Sequence, residues 1–391
     1  MAHRAAFCLS LLIAGLLSAC MSAPLAPPAP GRADEALFAD ALFAPPGERI
    51  DAADLFSVSE PMRRFLREEI HEQLRTKGFQ RGLLDALYKP GQLRIEYDAS
   101  TTRNAAQAFE ARAGNCLSLV VMTAAFAKEL GLTVTFQSAV GEETWSRSDN
   151  LALRSGHVNV TLGRRLFDVG TRLDLSALTV DFLPADEVRA LRTRPISEAT
   201  VAAMYMNNRA AEAMVAQRLD DAYAWAREAI RHAPAHYAAY NTLGVIYLRR
   251  GDAARADRVF AQVLAHEPAN TRAMSNRVQS LALLGRAEDS RALKAELTRI
   301  EPEAPFHFFE LGRAAMARGD WRAARDLFAR EVARAGYYHE FHYWLGVAHW
   351  RLGEADAARR ELALAMRERT TRQDRDLYAA KLAWLRQRGM E

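Results

Sequence analysis

Cysteine is nearly absent from this chain: three in 391 residues, at positions 8, 20 and 116. That excludes a disulfide-built fold and any zinc site of the CxxC type. Charge of one sign is also lacking. Lys and Arg total 52, Asp and Glu 48, and the two signs are interspersed, so the formal net charge is only +4. Such a balance gives no basic face for nucleic acid. The longest apolar run, Ala5 to Leu17, falls short of the ~20 residues needed to span a bilayer.

That run follows Arg4 and ends Leu17-Ser18-Ala19-Cys20, the pattern of an export signal. The four residues resemble the bacterial lipoprotein box. The resemblance implies a signal peptide over 1–19, acylation of Cys20, and anchoring by lipid rather than by a spanning helix. Met21 follows the cysteine, and in that family the absence of Asp there implies the outer membrane, periplasmic side. Residues 20–33, rich in Pro and Ala, read as a semi-rigid tether. Cys116 would then be the one thiol left in an oxidising compartment. An odd cysteine there is either a reactive thiol or an inert filler of a helix face.

The second half is periodic. Gly251, Gly285, Gly319 and Gly353 recur every 34 residues, as do Pro234, Pro268 and Pro302, with Ala222, Ala256, Ala324 and Ala358 between them. In "YAAYNTLGVIYLRRGDAARADRVFAQVLAHEP", Tyr240, Leu243, Gly244, Tyr247, Gly251, Ala256, Phe260 and Pro268 closely resemble the tetratricopeptide repeat. The implied architecture is an all-α solenoid over 200–391, with about five repeats and a capping helix near 374–388. Gln217 stands where the first repeat should have its turn glycine. A solenoid of this kind has a concave face for a peptide or protein partner. His339, His342 and His349, in "YYHEFHYWLGVAHW", read as packing rather than as metal ligands.

Residues 34–195 read as a separate α+β domain. Ser59 with Pro61 opens a helix ending at Gly78, "QLRIEY" alternates like a strand, and Thr101-Thr102 read as the cap of a helix "RNAAQAFEARAG". Gly114 breaks that pattern. A second helix, apolar nearly all round, starts at Asn115-Cys116 and stops at Gly131. Cys116 thus sits in the first turn of a buried helix, where unpaired N–H groups and the helix dipole favour a thiolate. Strands follow at "LTVTFQSAV", "HVNVTL" and "RLFDVG". His71 lies in a charged helix face. His157 opens a strand and Asp168 lies in the next, so a two-residue turn at Gly163 would put them on one face. Asn159, two residues on, shares the side of His157.

Cys116 in "AGNCLSL", His157 in "SGHVNV" and Asp168 in "LFDVG" resemble, in order and spacing, the transglutaminase-like superfamily. The resemblance implies a papain-like α+β fold over roughly 60–185. It makes Cys116 the nucleophile, His157 the base and Asp168 the orienting group, with no cofactor or metal. Asn115 stands where the family often has Asp, and Val169 where it often has Pro. Trp145, read as lying in the loop before His157, is a candidate oxyanion group. Two functions follow as expectations. One is a membrane-anchored thiol enzyme acting on amide bonds, by hydrolysis or acyl transfer. The other is a non-catalytic binding module on a repeat scaffold.

Overall fold

The computed structural model describes residues 33–368 apart from 90–92, 94, 100, 149–150, 166–176 and 183–191, together with Tyr378. The export signal, Cys20, the tether up to residue 32, Asp168 and most of the expected capping helix lie outside the described residues.

The N-terminal half is α+β. The run after Ser59 does form a helix, broken into α1 (Glu60–Arg64), one wide turn at Phe65–Glu69, and α2 (His71–Lys77). Gly78, at φ 81°, redirects the chain into α3 (Phe79–Tyr88). The strand expected at "QLRIEY" shrinks to β1 (Glu96–Tyr97), parallel to β2 (Ala113–Gly114). Between them, α4 (Ala105–Ala111) is capped by Asn104 rather than by the threonines. Asn104 and Gln107 exchange bonds in a capping box, and Arg112 ends the helix in the left-handed region.

The central element is α5 (Cys116–Glu129). Every residue from Leu117 to Ala127 is buried, as an all-apolar helix requires. Phe126 meets Phe65 and Phe109 with ring centroids 5.9 and 5.6 Å apart. Burial of each such ring contributes about 2–3 kcal/mol. The helix packs on an antiparallel sheet of order β5-β4-β3-β6, comprising β3 (Leu132–Ser148), β4 (Leu151–Arg165), β5 (Leu178–Val180) and β6 (Arg192–Ile196). The turn expected at Gly163 does not form. β4 runs through it to Arg165, and a Cβ at Gly163 would lie 2.1 Å from Thr133 Oγ1. The glycine marks a close approach of two strands, not a reversal. Trp145 likewise lies within β3, paired with Arg154, and not in a loop.

Five helical hairpins follow among the described residues: α6 (Glu198–Val215) with α7 (Leu219–His232), α8 (Tyr237–Arg249) with α9 (Ala253–His266), α10 (Thr271–Leu283) with α11 (Ala287–Ile300), α12 (His307–Ala317) with α13 (Trp321–Arg334), and α14 (His339–Arg351) with α15 (Ala355–Arg367). The periodic glycines close the first helix of each later hairpin at φ 73–83°. Gln217 does the same in the first hairpin at φ 60°. Gly244 and Gly312 let the paired helices touch: a Cβ would meet Phe260 at 2.4 Å and Phe328 at 2.6 Å.

The two halves are not independent. One apolar core runs from Leu37 to Ala273, through α5, the sheet and the first repeats. Residues 34–48 form a strap across the repeats. Phe43 stacks on Tyr223 at 4.0 Å, Tyr247 Oη donates to the Leu37 carbonyl at 2.7 Å, and Arg250 donates to the Leu42 carbonyl at 2.8 Å. Arg231 holds Glu35, Arg227 holds Asp40, and Arg209 holds Glu48. A second core begins at Phe306 and serves the last two hairpins. Between the cores, α11 buries no side chain.

Candidate functional site

Cys116 is brought to the end of α5 by two local features. Gly114 lets the chain enter the helix close to its first turn, since a Cβ there would lie 2.7 Å from that of Ser118. Asn115 then caps the helix, its side-chain oxygen accepting from Ser118 N at 2.9 Å. The thiol is half-buried and is not in a disulfide. Tyr97 lies beside it through the pairing of Tyr97 with Gly114. The residue as a whole is 47% exposed. Its hydroxyl oxygen faces the main-chain N–H of Cys116, and desolvation there, then the nearby thiol, push the phenol well above its ordinary range.

His157, in β4, is 5% exposed. Its Nε2 lies 2.7 Å from Asp181 Oδ1, an ion-pair contact, and Cys116 is close enough to act on the ring. Burial opposes its charge, but Asp181 and Cys116 outweigh burial and raise its pKa to about 9. Asp181 follows β5. Val160 pairs with Val180, so continuing the register sets Asp181 across from Asn159. Asn159 Nδ2 donates to the second carboxylate oxygen at 3.2 Å. Phe182 fixes the next turn of chain by an edge contact with Tyr88, whose hydroxyl bonds Thr123 of α5 at 2.7 Å.

The structure thus brings Cys116 and His157 together, with Asn159 beside them. Asp168 lies outside the described residues, and the carboxylate against His157 is Asp181, which the sequence reading did not single out. The sequence signal for it was Asn159 itself: a buried strand amide facing the histidine's side needs a polar partner across the sheet. His71 is exposed and stands apart, beside a shallow cavity of about 530 Å³ on α1 and α2. The arginines there are already paired, Arg63 with Glu129, Arg67 with Glu60 and Arg75 with Glu72.

The histidines of the last hairpins each have separate partners. His339 Nδ1 bonds Tyr378. His342 bonds Glu361 at 2.7 Å and the Gly336 carbonyl at 2.8 Å, and His349 bonds Glu354. Among the described residues no three His, Cys, Asp or Glu side chains gather as a metal site.

No curated protein matches the chain. Among solved structures it is similar to a thermophilic tetratricopeptide-repeat protein of Thermus thermophilus, at 16% identity and TM-score 0.30, over 46% of this chain and 99% of that one. It is also similar to PilF of Pseudomonas aeruginosa, at 17% identity and TM-score 0.28, over 48% and 92%. YrrB, described as a repeat protein with an unusual peptide-binding site, gives 18% and 0.25 over 46% and 92%. Residues 241–305 and 309–374 match the family model of the tetratricopeptide repeat. The C-terminal region therefore carries tetratricopeptide repeats, matched over residues 241–305 and 309–374.

Proposed function

We propose that the chain is a transglutaminase-like thiol enzyme acting on amide bonds of protein or peptide substrates, with its repeats recruiting substrate or partner. The observation that carries the reading is His157, whose Nε2 lies 2.7 Å from Asp181 Oδ1 and whose charged form is supported by both Asp181 and Cys116. In this reading the Cys116 thiolate attacks the amide carbonyl. The imidazolium of His157 gives its proton to the leaving amine as the C–N bond breaks. Asp181 holds the ring and supports its charge. The oxyanion formed at the attacked carbonyl would take the Cys116 main-chain N–H in place of the Tyr97 hydroxyl oxygen. The resulting thioester passes its acyl group to water or to a second amine. The papain-like fold belongs to the same proposal, supported by a buried helix opening at the cysteine and packed on the histidine-bearing sheet. So does an outer-membrane lipoprotein facing the periplasm, supported by Leu17-Ser18-Ala19-Cys20 and the Pro-rich stretch after it.

A second reading, a binding module on a scaffold, is favoured by the repeat match over 241–374. The test is alkylation of Cys116 in full-length chain with Cys8→Ser and Cys20→Ser, so that one thiol remains. The enzyme reading expects fast labelling at pH 6 that His157→Ala slows at least ten-fold. Slow labelling indifferent to His157 would leave the scaffold reading. Cys116→Ala then separates the two in function: lost activity with partner binding kept, or no change.

A further inference from the structure

Thr102 is 2% exposed and is held from both sides. Its side-chain oxygen accepts from Asn115 Nδ2 at 2.8 Å, and its main-chain N–H donates to Glu212 Oε1 at 2.6 Å. The Thr102 hydroxyl also bonds Glu212. Asn115 is the residue that caps α5 one position before Cys116. Glu212 is not part of the α+β unit; it projects from α6, the first helix of the repeats. Arg209, one turn earlier on α6, reaches Glu212 at 3.4 Å and Glu48 of the strap at 2.8 Å. Arg103, next to Thr102, adds positive potential at Glu212, and its N–H donates to Ser118 Oγ at 2.8 Å in the first turn of α5.

We infer that Glu212 of the first repeat is a positioning residue for Cys116, acting through Thr102 and Asn115 on the N-terminus of α5. The inference rests on the reading of Cys116 as a nucleophile. An uncapped first turn frays, and its N–H groups no longer converge on the sulfur. Glu212 fixes the segment that fixes the cap. The repeats thereby supply part of the thiol site as well as a surface for partners, and the contact from strap to α6 to Thr102 is continuous. Glu212 itself touches no reacting atom, so its effect falls on thiolate stabilisation and not on access to the sulfur.

The experiment is the iodoacetamide rate of the same single-thiol full-length chain at pH 6 and pH 9.5. An ordinary thiol, with a pKa of about 8.5, is mostly ionised at the higher pH, so only the lower reports stabilisation. Glu212→Ala is expected to slow labelling about ten-fold at pH 6, one unit of apparent shift, and less than two-fold at pH 9.5. Glu212→Gln, whose amide oxygen still accepts the Thr102 N–H, should restore at least half of the wild-type pH 6 rate. Asn207→Ala, which removes a bond to Thr242 from the same helix, should leave both rates unchanged. If Glu212→Ala does not fold, Thr102→Val, which cuts the link to Asn115, should reproduce the pH 6 loss. Equal slowing at both pH values, or none, overturns the inference while leaving the nucleophile in place. A wild-type pH 6 rate that is slow and indifferent to His157→Ala removes the nucleophile, and this role with it.

Discussion

His157 carries the clearest residue-scale consequence. Its folded pKa of about 9 lies above the ~6.5 of an unfolded histidine. A raised pKa means the charged form is stabilised by folding. The contribution is therefore complete below about pH 6.5, declines between about 6.5 and 9, and is gone above. Urea midpoints measured across that window should fall as pH rises, and His157→Gln should flatten the fall. Asp181 gives a second prediction. Asp181→Asn should slow pH 6 labelling of Cys116 at least ten-fold, whereas Asp168→Asn should leave it within two-fold. The reverse pattern would return the orienting role to Asp168. Cysteine arithmetic and a helix-start pattern are enough to find Cys116, and a strand pattern enough to find His157. Asp181 is not readable that way. Its partnership depends on the register of a three-residue strand, and Gly163 reads locally as a turn. That glycine is instead demanded by Thr133 in the neighbouring strand, a contact no single-sequence pattern encodes.

At the scale of elements, the 34-residue period is readable because each repeat must solve the same two problems. One is a tight reversal after the first helix; the other is close approach of its partner. Gln217 solves the first without glycine, in the left-handed region. Gln217→Gly should be neutral or slightly stabilising, and Gln217→Val should cost about 1–3 kcal/mol, because a β-branched side chain is strained there. Thermal midpoints of the two variants check this directly. Gly244→Ala should cost about 1–3 kcal/mol by overpacking, since its Cβ would enter the Phe260 ring. The α+β half is less legible. Its first helix is interrupted by a wide turn at Phe65–Glu69 and its first strand is two residues long, and both reflect packing around α5 rather than local preference.

For the whole molecule, the expected division at residues 195–200 does not mark an independent unit. Leu37, Tyr223 and Tyr247 belong to the same core as α5, and the strap ties residues 34–48 to the repeats through main-chain as well as side-chain bonds. This could not be read from sequence because the strap is short, lacks strand or helix periodicity and directly follows the Pro-rich stretch. The break that does exist lies further on, around α11, where one core has ended at Ala273 and the next has not begun until Phe306.

That gap sets how the protein should come apart. Cooperativity travels through shared buried surface, and among the described residues neither core extends across α11. Melting should therefore show two transitions rather than one. The final two hairpins would open on their own, while the thiol site, strap and first repeats hold as a single block. Hydrogen exchange should find the amides of α11 among the first to swap. A protease given native protein should find its earliest internal cut there, releasing a small helical fragment and leaving Cys116 no less reactive than before.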